Sequence, residues 1–342
     1  MVNIFITGLT GYIGGDLFHN ISSKHPEYKF SALIRDKKVD LVRKACPDVE
    51  IVVGDLDDSD ILIEQAAKAD IVIHTADASD HEGAAKAIAE GLAKGHSKEK
   101  PGFWLHTGGT GILTYTDSEA DKLGEWTEKE YNDWSGVKEL TTLPDSAFHR
   151  GVDKIVLEAG TKNKASVKTA IVCPPTIYGK GRGPSANRGR QVYELAKLVL
   201  EEEYTPIIGA GKARWNYVHV YDLSDAFLAL TEAAAKGDEN PELWGDKGYH
   251  FTEAGEHIWG DLSRAVAKKA LELKYIKSDE ENSLDKDKAI KQAGFEAVSW
   301  GFNSRGRAER LNRTLGWKPT QPSIFDEVEN IVKDEHERLQ KK

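Results

Sequence analysis

The sequence predicts an α/β protein: a Rossmann-type doubly wound parallel sheet with a smaller C-terminal substrate lobe. Three observations carry this expectation. Short apolar runs alternate with helically spaced apolar positions through the first half of the chain, the first run leads straight into TGLTGYIGG (7–15), and the pattern loosens after residue 174. Strand–helix alternation implies right-handed crossovers and a sheet covered on both faces.

The elements follow in order. VNIFI (2–6) reads as a strand and YIGGDLFHNISSK (12–24) as a helix. YKFSALI (28–34), VEIVV (49–53), ADIVIHTA (69–76) and GFWLHTG (102–108) are β-rich. Between them KKVDLVRKA (37–45), SDILIEQAAK (59–68) and DHEGAAKAIAEGLAKG (80–95) have helical spacing. A helix at DKIVLEAGTK (153–162) then precedes a sixth strand, VKTAIVC (167–173). Residues 115–145 are charged, carry Trp126 and Trp134 and lack a clean period, which suggests an insertion in a nucleotide-binding domain spanning 1–175. The remainder, 176–342, reads as a substrate lobe partly interleaved with the sheet. KGRGPSANRGR (180–190) is Gly- and Arg-rich and is expected to be a mobile loop. Helices near 192–202 and 222–237, a strand near 247–254 and the segment 307–320 fill the lobe.

Bulk properties exclude several classes. A formal charge of −10 argues against a general nucleic-acid binder, which needs a basic surface. Cys46 and Cys173 are far apart and define neither a disulfide framework nor a metal site. No apolar stretch approaches the roughly 18–20 residues of a membrane span. A soluble, cytoplasmic protein of a reducing compartment, acting on a small molecule, is the expectation.

Gly8, Gly11 and Gly14 form T-G-x-x-G-x-x-G between a strand and a helix. Such a turn needs glycine where φ is unusual and where a diphosphate nears the backbone. The following helix offers free N–H groups and its positive dipole end, so Thr10, Tyr12 and Ile13 join the glycines as cofactor-binding candidates. The second strand ends in Arg35–Asp36. An acidic residue there suits a ribose hydroxyl, whereas a guanidinium suits a 2′-phosphate. Arg35 points to NADP(H); Asp36 leaves NAD open. Asp55, with Leu56 beside it, could accept from the adenine amino group, and His74, Thr75 and Ala76 would lie beside the cofactor's middle.

Together TGLTGYIGG, GDLDD (54–58), IHTAD (73–77), CPPTIYGKG (173–181), NYVHVYD (216–222) and LGWKP (315–319) resemble the extended short-chain dehydrogenase/reductase superfamily. The resemblance runs through nearly the whole chain. It implies that CPPTIYGKG covers the nicotinamide end, adding Pro174, Thr176 and Ile177 to the cofactor set. It also implies a possible homodimer through helices near 80–95 and 146–161. The family's chemistry depends on Tyr-x-x-x-Lys, in which lysine binds ribose and lowers the tyrosine pKa. Aligning Glu158 with the family's usual glutamate puts Lys154 on that lysine, as ribose ligand and catalytic residue. The tyrosine position then holds Arg150, beside His149. At the fifth-strand end Thr107 and Thr110 are present, but Gly109 takes the usual serine position.

A proton relay would have to be rebuilt. His149 has the right chemistry; Arg150 could only stabilise an oxyanion; and Tyr115, Tyr178 and Tyr217 are candidate phenols. Neighbours on a helix diverge by about 100°, so His149 and Arg150 cannot both face the nicotinamide. Arg182, Arg188, Arg190 and Arg214 could attract a carboxylate or phosphate, and the tryptophans, including Trp215, Trp244 and Trp259, could line a pocket. Three functions stay open: an NADP(H) oxidoreductase on a carbonyl or alcohol, an NmrA-like NADP(H) sensor without turnover, and a nucleotide-sugar epimerase or dehydratase.

Overall fold

The computed structural model describes residues 1–341. Seven strands form one parallel sheet: β1 (Asn3–Thr7), β2 (Lys29–Ile34), β3 (Glu50–Val53), β4 (Ile71–His74), β5 (Gly102–Thr107), β6 (Val167–Cys173) and β7 (Tyr249–Phe251). Their order is β7-β6-β5-β4-β1-β2-β3. The order reverses between β1 and β4, which opens a crevice at the C-terminal strand ends. Helices α1 (Tyr12–Lys24), α2 (Val39–Ala45), α3 (Ser59–Lys68), α4 (Glu82–Gly95) and α5 (Arg150–Lys162) supply the crossovers of the first half.

Both faces of the sheet are covered, so its central strands are apolar throughout rather than alternating. One core joins Ile4, Ile6, Leu17 and Ile73 to Phe227 and Leu230; the other joins Phe5, Val72 and Trp104 to Ile88 and Val156. Fully burying each such side chain contributes about 1.5–3 kcal/mol.

The C-terminal lobe holds α6 (Gln191–Glu202), α8 (Trp259–Glu272), α9 (Lys286–Ser299) and α10 (Val328–Gln340). They pack around a three-stranded sheet, Thr176–Tyr178, Arg214–His219 and Gly255–Ile258. Between these elements the chain returns to the large sheet: α7 (Val220–Ala235) packs on α1, and β7 pairs with β6.

One expectation gains detail here and another changes. Residues 115–145, expected as an insertion, are seamed to the C-terminal part of the chain. Tyr131–Asn132 pairs with Gly306–Arg307, and the buried Asp133 carboxylate accepts from the amides of Phe251, Glu309 and Arg310. Segment 180–190 is docked. Arg182 donates from its amide, Nε and Nη2 to Asp16 at 2.9, 3.0 and 2.6 Å, while Ser224 Oγ donates to the same carboxylate at 2.6 Å. The Arg182 guanidinium also lies 3.9 Å from the Tyr221 ring centroid. A composition of Gly and Arg reads as mobile only until its partners are seen, Asp16 among them at 166 positions away. No described helix is long and apolar enough to cross a membrane.

Candidate functional site

The turn after β1 is built by close approach. Gly8 has φ +84°, a conformation L side chains rarely adopt, and its carbonyl accepts from the Gly11 amide at 2.7 Å. A Cβ on Gly14 would stand 2.3 Å from that carbonyl oxygen and 2.4 Å from Thr75 Oγ1. The first turn of α1 therefore lies against the strand ends with its amides facing the crevice and no acidic side chain in its first turn. Helix dipole and free N–H groups make that end an anion site.

A cleft of about 980 Å³ opens there. It is lined by Gly8, Thr10, Gly11, Tyr12, Ile13, Gly14, Arg35, Asp55, Leu56, Thr75, Ala76 and Ile177, all expected from sequence. Tyr12 also ties the lobes, donating its hydroxyl to Gly179 O at 2.6 Å. Lys38, Ser185, Gln191 and Glu296 line it too and were missed. Lys38 lies one helical turn past Arg35, and its Nζ reaches Ser185 Oγ across the cleft at 3.2 Å. Asp36 is outside the lining. The strained glycine cradle, the cationic edge and the volume fit a dinucleotide: the glycine turn would hold its diphosphate, and Arg35 with Lys38 the adenosine end.

Other expected residues sit elsewhere. His74 is fully buried beneath the cleft floor; the Thr7 hydroxyl lies 2.6 Å from its Nδ1, and burial pushes its imidazole down to about 3. It stays neutral and supports the strand ends. Thr176 is buried and donates to Gln191 Oε1 at 2.9 Å, acting behind a lining residue, and the buried Pro174 is outside the lining. Thr107 is buried at the end of β5 with an unpartnered hydroxyl.

Three catalytic expectations are corrected. Tyr178 is sealed in the C-terminal lobe, where its hydroxyl donates to Pro322 O at 2.5 Å and burial pushes its phenol up. Lys154 lies on the outer side of α5 and pairs with exposed Asp145 at 2.8 Å. Arg150 is buried and donates to Thr141 O at 2.9 Å. His149, at the N-terminal boundary of α5, and the buried Asp153 within it lie one residue out of step with the alignment through Glu158. Tyr115 and Tyr217 are half-buried outside the cleft lining.

His149, like Tyr115 and Tyr217 outside the cleft lining, precedes α5 in the left-handed region, at φ 68°. Its Nδ1 lies 2.7 Å from Asp80 Oδ1, and Nε2 is 3.3 Å from the point a Cβ would take on Gly109. Burial opposes ionisation of Asp80, but the His149 hydrogen bond and charge, with Ser79 and Arg190, hold its carboxyl below the usual range. Asp153 is fully buried; it accepts from Tyr249 Oη at 2.8 Å, and burial lifts its carboxyl to about 6.

The remaining arginines are each paired with a carboxylate: Arg188 with Glu335 and Glu194, Arg190 with Glu296, and Arg214 with Glu256. Trp215, Trp244 and Trp259 are core residues rather than pocket walls. Phe148 and Phe295, both exposed, bring their rings to 5.6 Å across the two lobes. Among the described residues no cluster of side chains could hold a metal ion.

Comparison with known proteins fits this geometry. The profile of the NmrA-like family matches residues 2–94, and that of the NAD dependent epimerase/dehydratase family matches 147–243. The chain is 39% identical to a protein named oxidase ucsJ from an Acremonium species, over 98% of both chains. It is 25% identical to the uncharacterized protein YLL056C of Saccharomyces cerevisiae, over 96% of this chain and 98% of that one. Similar folds include dTDP-glucose 4,6-dehydratase from Bacillus anthracis in complex with NAD, at 15% identity, TM-score 0.66, over 100% and 98% of the two chains. UDP-glucuronic acid 4-epimerase from Bacillus cereus gives 16% identity and TM-score 0.64, over 99% and 100%.

Proposed function

Because the chain belongs to the extended short-chain dehydrogenase/reductase superfamily, we propose that it is an NADP(H)-dependent oxidoreductase acting on a small carbonyl or alcohol compound. When bound, the nicotinamide supplies hydride chemistry. The protein holds the cofactor's diphosphate on the amides of the glycine turn, orients the substrate and handles the proton.

The observation that carries the cofactor choice is the pairing of Arg35 and Lys38 on one edge of the cleft. Two cations suit a 2′-phosphate; Asp36, the residue suited to a ribose hydroxyl, is outside the lining. Turnover is favoured over sensing by the 39% identical relative, which is named an oxidase. The NmrA-like match covers only the cofactor half, which both readings share. A nucleotide-sugar substrate is disfavoured because Arg214 is bound to Glu256 and Trp215 is buried. A cytoplasmic setting belongs to the same reading and suits two buried free thiols. A homodimer through α4 and α5 would be polar, since Glu82–Lys86, Glu90–Lys94 and Glu158–Lys162 pair on their outer faces.

The test is NADPH and NADH binding by fluorescence, followed by cofactor consumption across aldehydes, ketones, quinones and enones, and cofactor reduction with the matching alcohols. Turnover with preference for NADP(H) is expected. Tight binding without turnover on any member would overturn the enzyme reading in favour of a sensor.

A further inference from the structure

We infer that His149, oriented by Asp80, is the group that exchanges a proton with substrate, and that Gly109 is its structural counterpart; this rests on the oxidoreductase reading above. The superfamily resemblance calls for a tyrosine on α5 and a serine or threonine at the end of β5; α5 has no tyrosine, and Gly109 takes the usual serine position between Thr107 and Thr110. The structure shows one arrangement in place of both. Nδ1 of His149 is fixed on Asp80 Oδ1 at 2.7 Å, while Nε2 makes no hydrogen bond among the described residues. Cβ positions on both Gly109 and Gly111 would come within 3.3 Å of Nε2. The imidazole thus occupies the space that a serine side chain at 109 would need.

Three further observations converge. His149 adopts φ 68°, a region costly for a residue with a Cβ, and such strain is held where a side chain must be aimed. Three of the alternatives are engaged elsewhere: Arg150 with Thr141, Lys154 with Asp145 and Tyr178 with Pro322. Charged and titratable groups surround the imidazole from each side. Asp80, itself influenced by Arg190, precedes α4; Asp153 and Arg150 follow on α5; and His106, buried and held neutral by desolvation, lies on β5 below.

The chemistry balances without another reagent. Reducing a carbonyl breaks its π bond and forms a C–H and an O–H bond, the hydride coming from the reduced nicotinamide and the proton from His149 Nε2. The imidazole is left neutral, with its Nδ1–H still on Asp80, and takes its next proton from water. Alcohol oxidation runs the same transfers backwards. Asp80 is a positioning residue: it fixes the tautomer and ring orientation.

The experiment compares wild type, His149→Gln and Asp80→Asn. His149→Gln should keep NADPH affinity within about threefold yet lose at least about 100-fold in kcat, together with the pH inflection that an imidazole imposes. Asp80→Asn should lose about tenfold in kcat with its pH profile displaced. Independently of turnover, ¹⁵N NMR should show the Nδ1–H form of His149 in wild type and a changed tautomer in Asp80→Asn. The Asp80 carboxyl should titrate higher in His149→Gln. Turnover within threefold of wild type in His149→Gln, or an imidazole signal indifferent to Asp80→Asn, overturns the relay alone. A wild type that binds NADPH and turns over nothing overturns the oxidoreductase reading itself.

Discussion

Nε2 of His149 stands 3.3 Å from the point a Cβ would occupy on Gly109, closer than a side chain there would tolerate without the ring giving way. The two residues are 40 positions apart and share one volume. Gly109→Ala is therefore expected to push the imidazole by a few tenths of an ångström. A misplacement on that scale costs activity more than stability. The variant should melt within about 2 °C of wild type, bind NADPH unchanged and lose about tenfold in kcat. Unaltered kcat would mean that the imidazole's position does not matter.

Cofactor choice should depend on two side chains. Arg35→Ala with Lys38→Ala removes both cations from the adenosine end of the cleft. Charge-assisted hydrogen bonds contribute about 1.5–3 kcal/mol each when shielded from water, and about half that at a solvated edge. NADPH affinity should fall about 10- to 100-fold, with NADH affinity moving less than threefold. Equal losses for both cofactors would show that the pair does not read the 2′-phosphate. The NADPH loss should also shrink as salt is raised, since these groups are near the surface.

Docking of the 180–190 loop should limit stability. Asp16 is fully buried, and Arg182 is its only cationic partner among the described residues. Removing one member of such a pair leaves a charge in the interior, which typically costs 3–5 kcal/mol. Arg182 is partly exposed, so water can replace some of its bonds. Arg182→Ala should lose about 2–3 kcal/mol in urea unfolding, and limited proteolysis should begin within 180–190. A loss below about 0.5 kcal/mol would mean that the loop is held by other contacts.

What the sequence made legible follows from how far apart the cooperating residues are. The glycine turn was readable because Gly8, Gly11 and Gly14 act within seven residues and backbone geometry leaves no other residue for the job. The sheet was readable because its strands are apolar on both faces. His149 was legible as a candidate, but its pairing with Asp80 was not: the two are 69 positions apart, and nothing in DHEGAAKAI marks its first residue as an imidazole partner. Nor could alignment through Glu158 reveal that α5 begins one residue out of step, because that depends on the left-handed turn at His149. Likewise Arg182 and Asp16, 166 positions apart, turned a loop of flexible composition into a fixed one.

Asp153 supplies a pH-dependent test of the same region. Its carboxyl is fully buried, and burial, only partly offset by the Tyr249 hydroxyl and the charges of His149 and Arg150, raises it to about 6 from 3.8. The folded protein then holds a proton that the unfolded chain has released, so stability from this group is greatest below the unfolded pKa. It declines as pH rises from about 4 to about 6 and stays low above that. The difference of about 2 pKa units corresponds to about 3 kcal/mol at neutral pH. Asp153→Asn removes that cost but buries an amide NH₂ with no assured acceptor, a penalty of about 1–2 kcal/mol. The variant should be about 1–2 kcal/mol more stable than wild type at pH 8 and no more stable at pH 4, by urea unfolding at both. A stabilising change left unmade beside His149 is what a functional charge looks like. Turnover should accordingly fall several-fold while stability rises. Asp153→Asn with full activity and higher stability would assign the buried carboxylate no part in the chemistry.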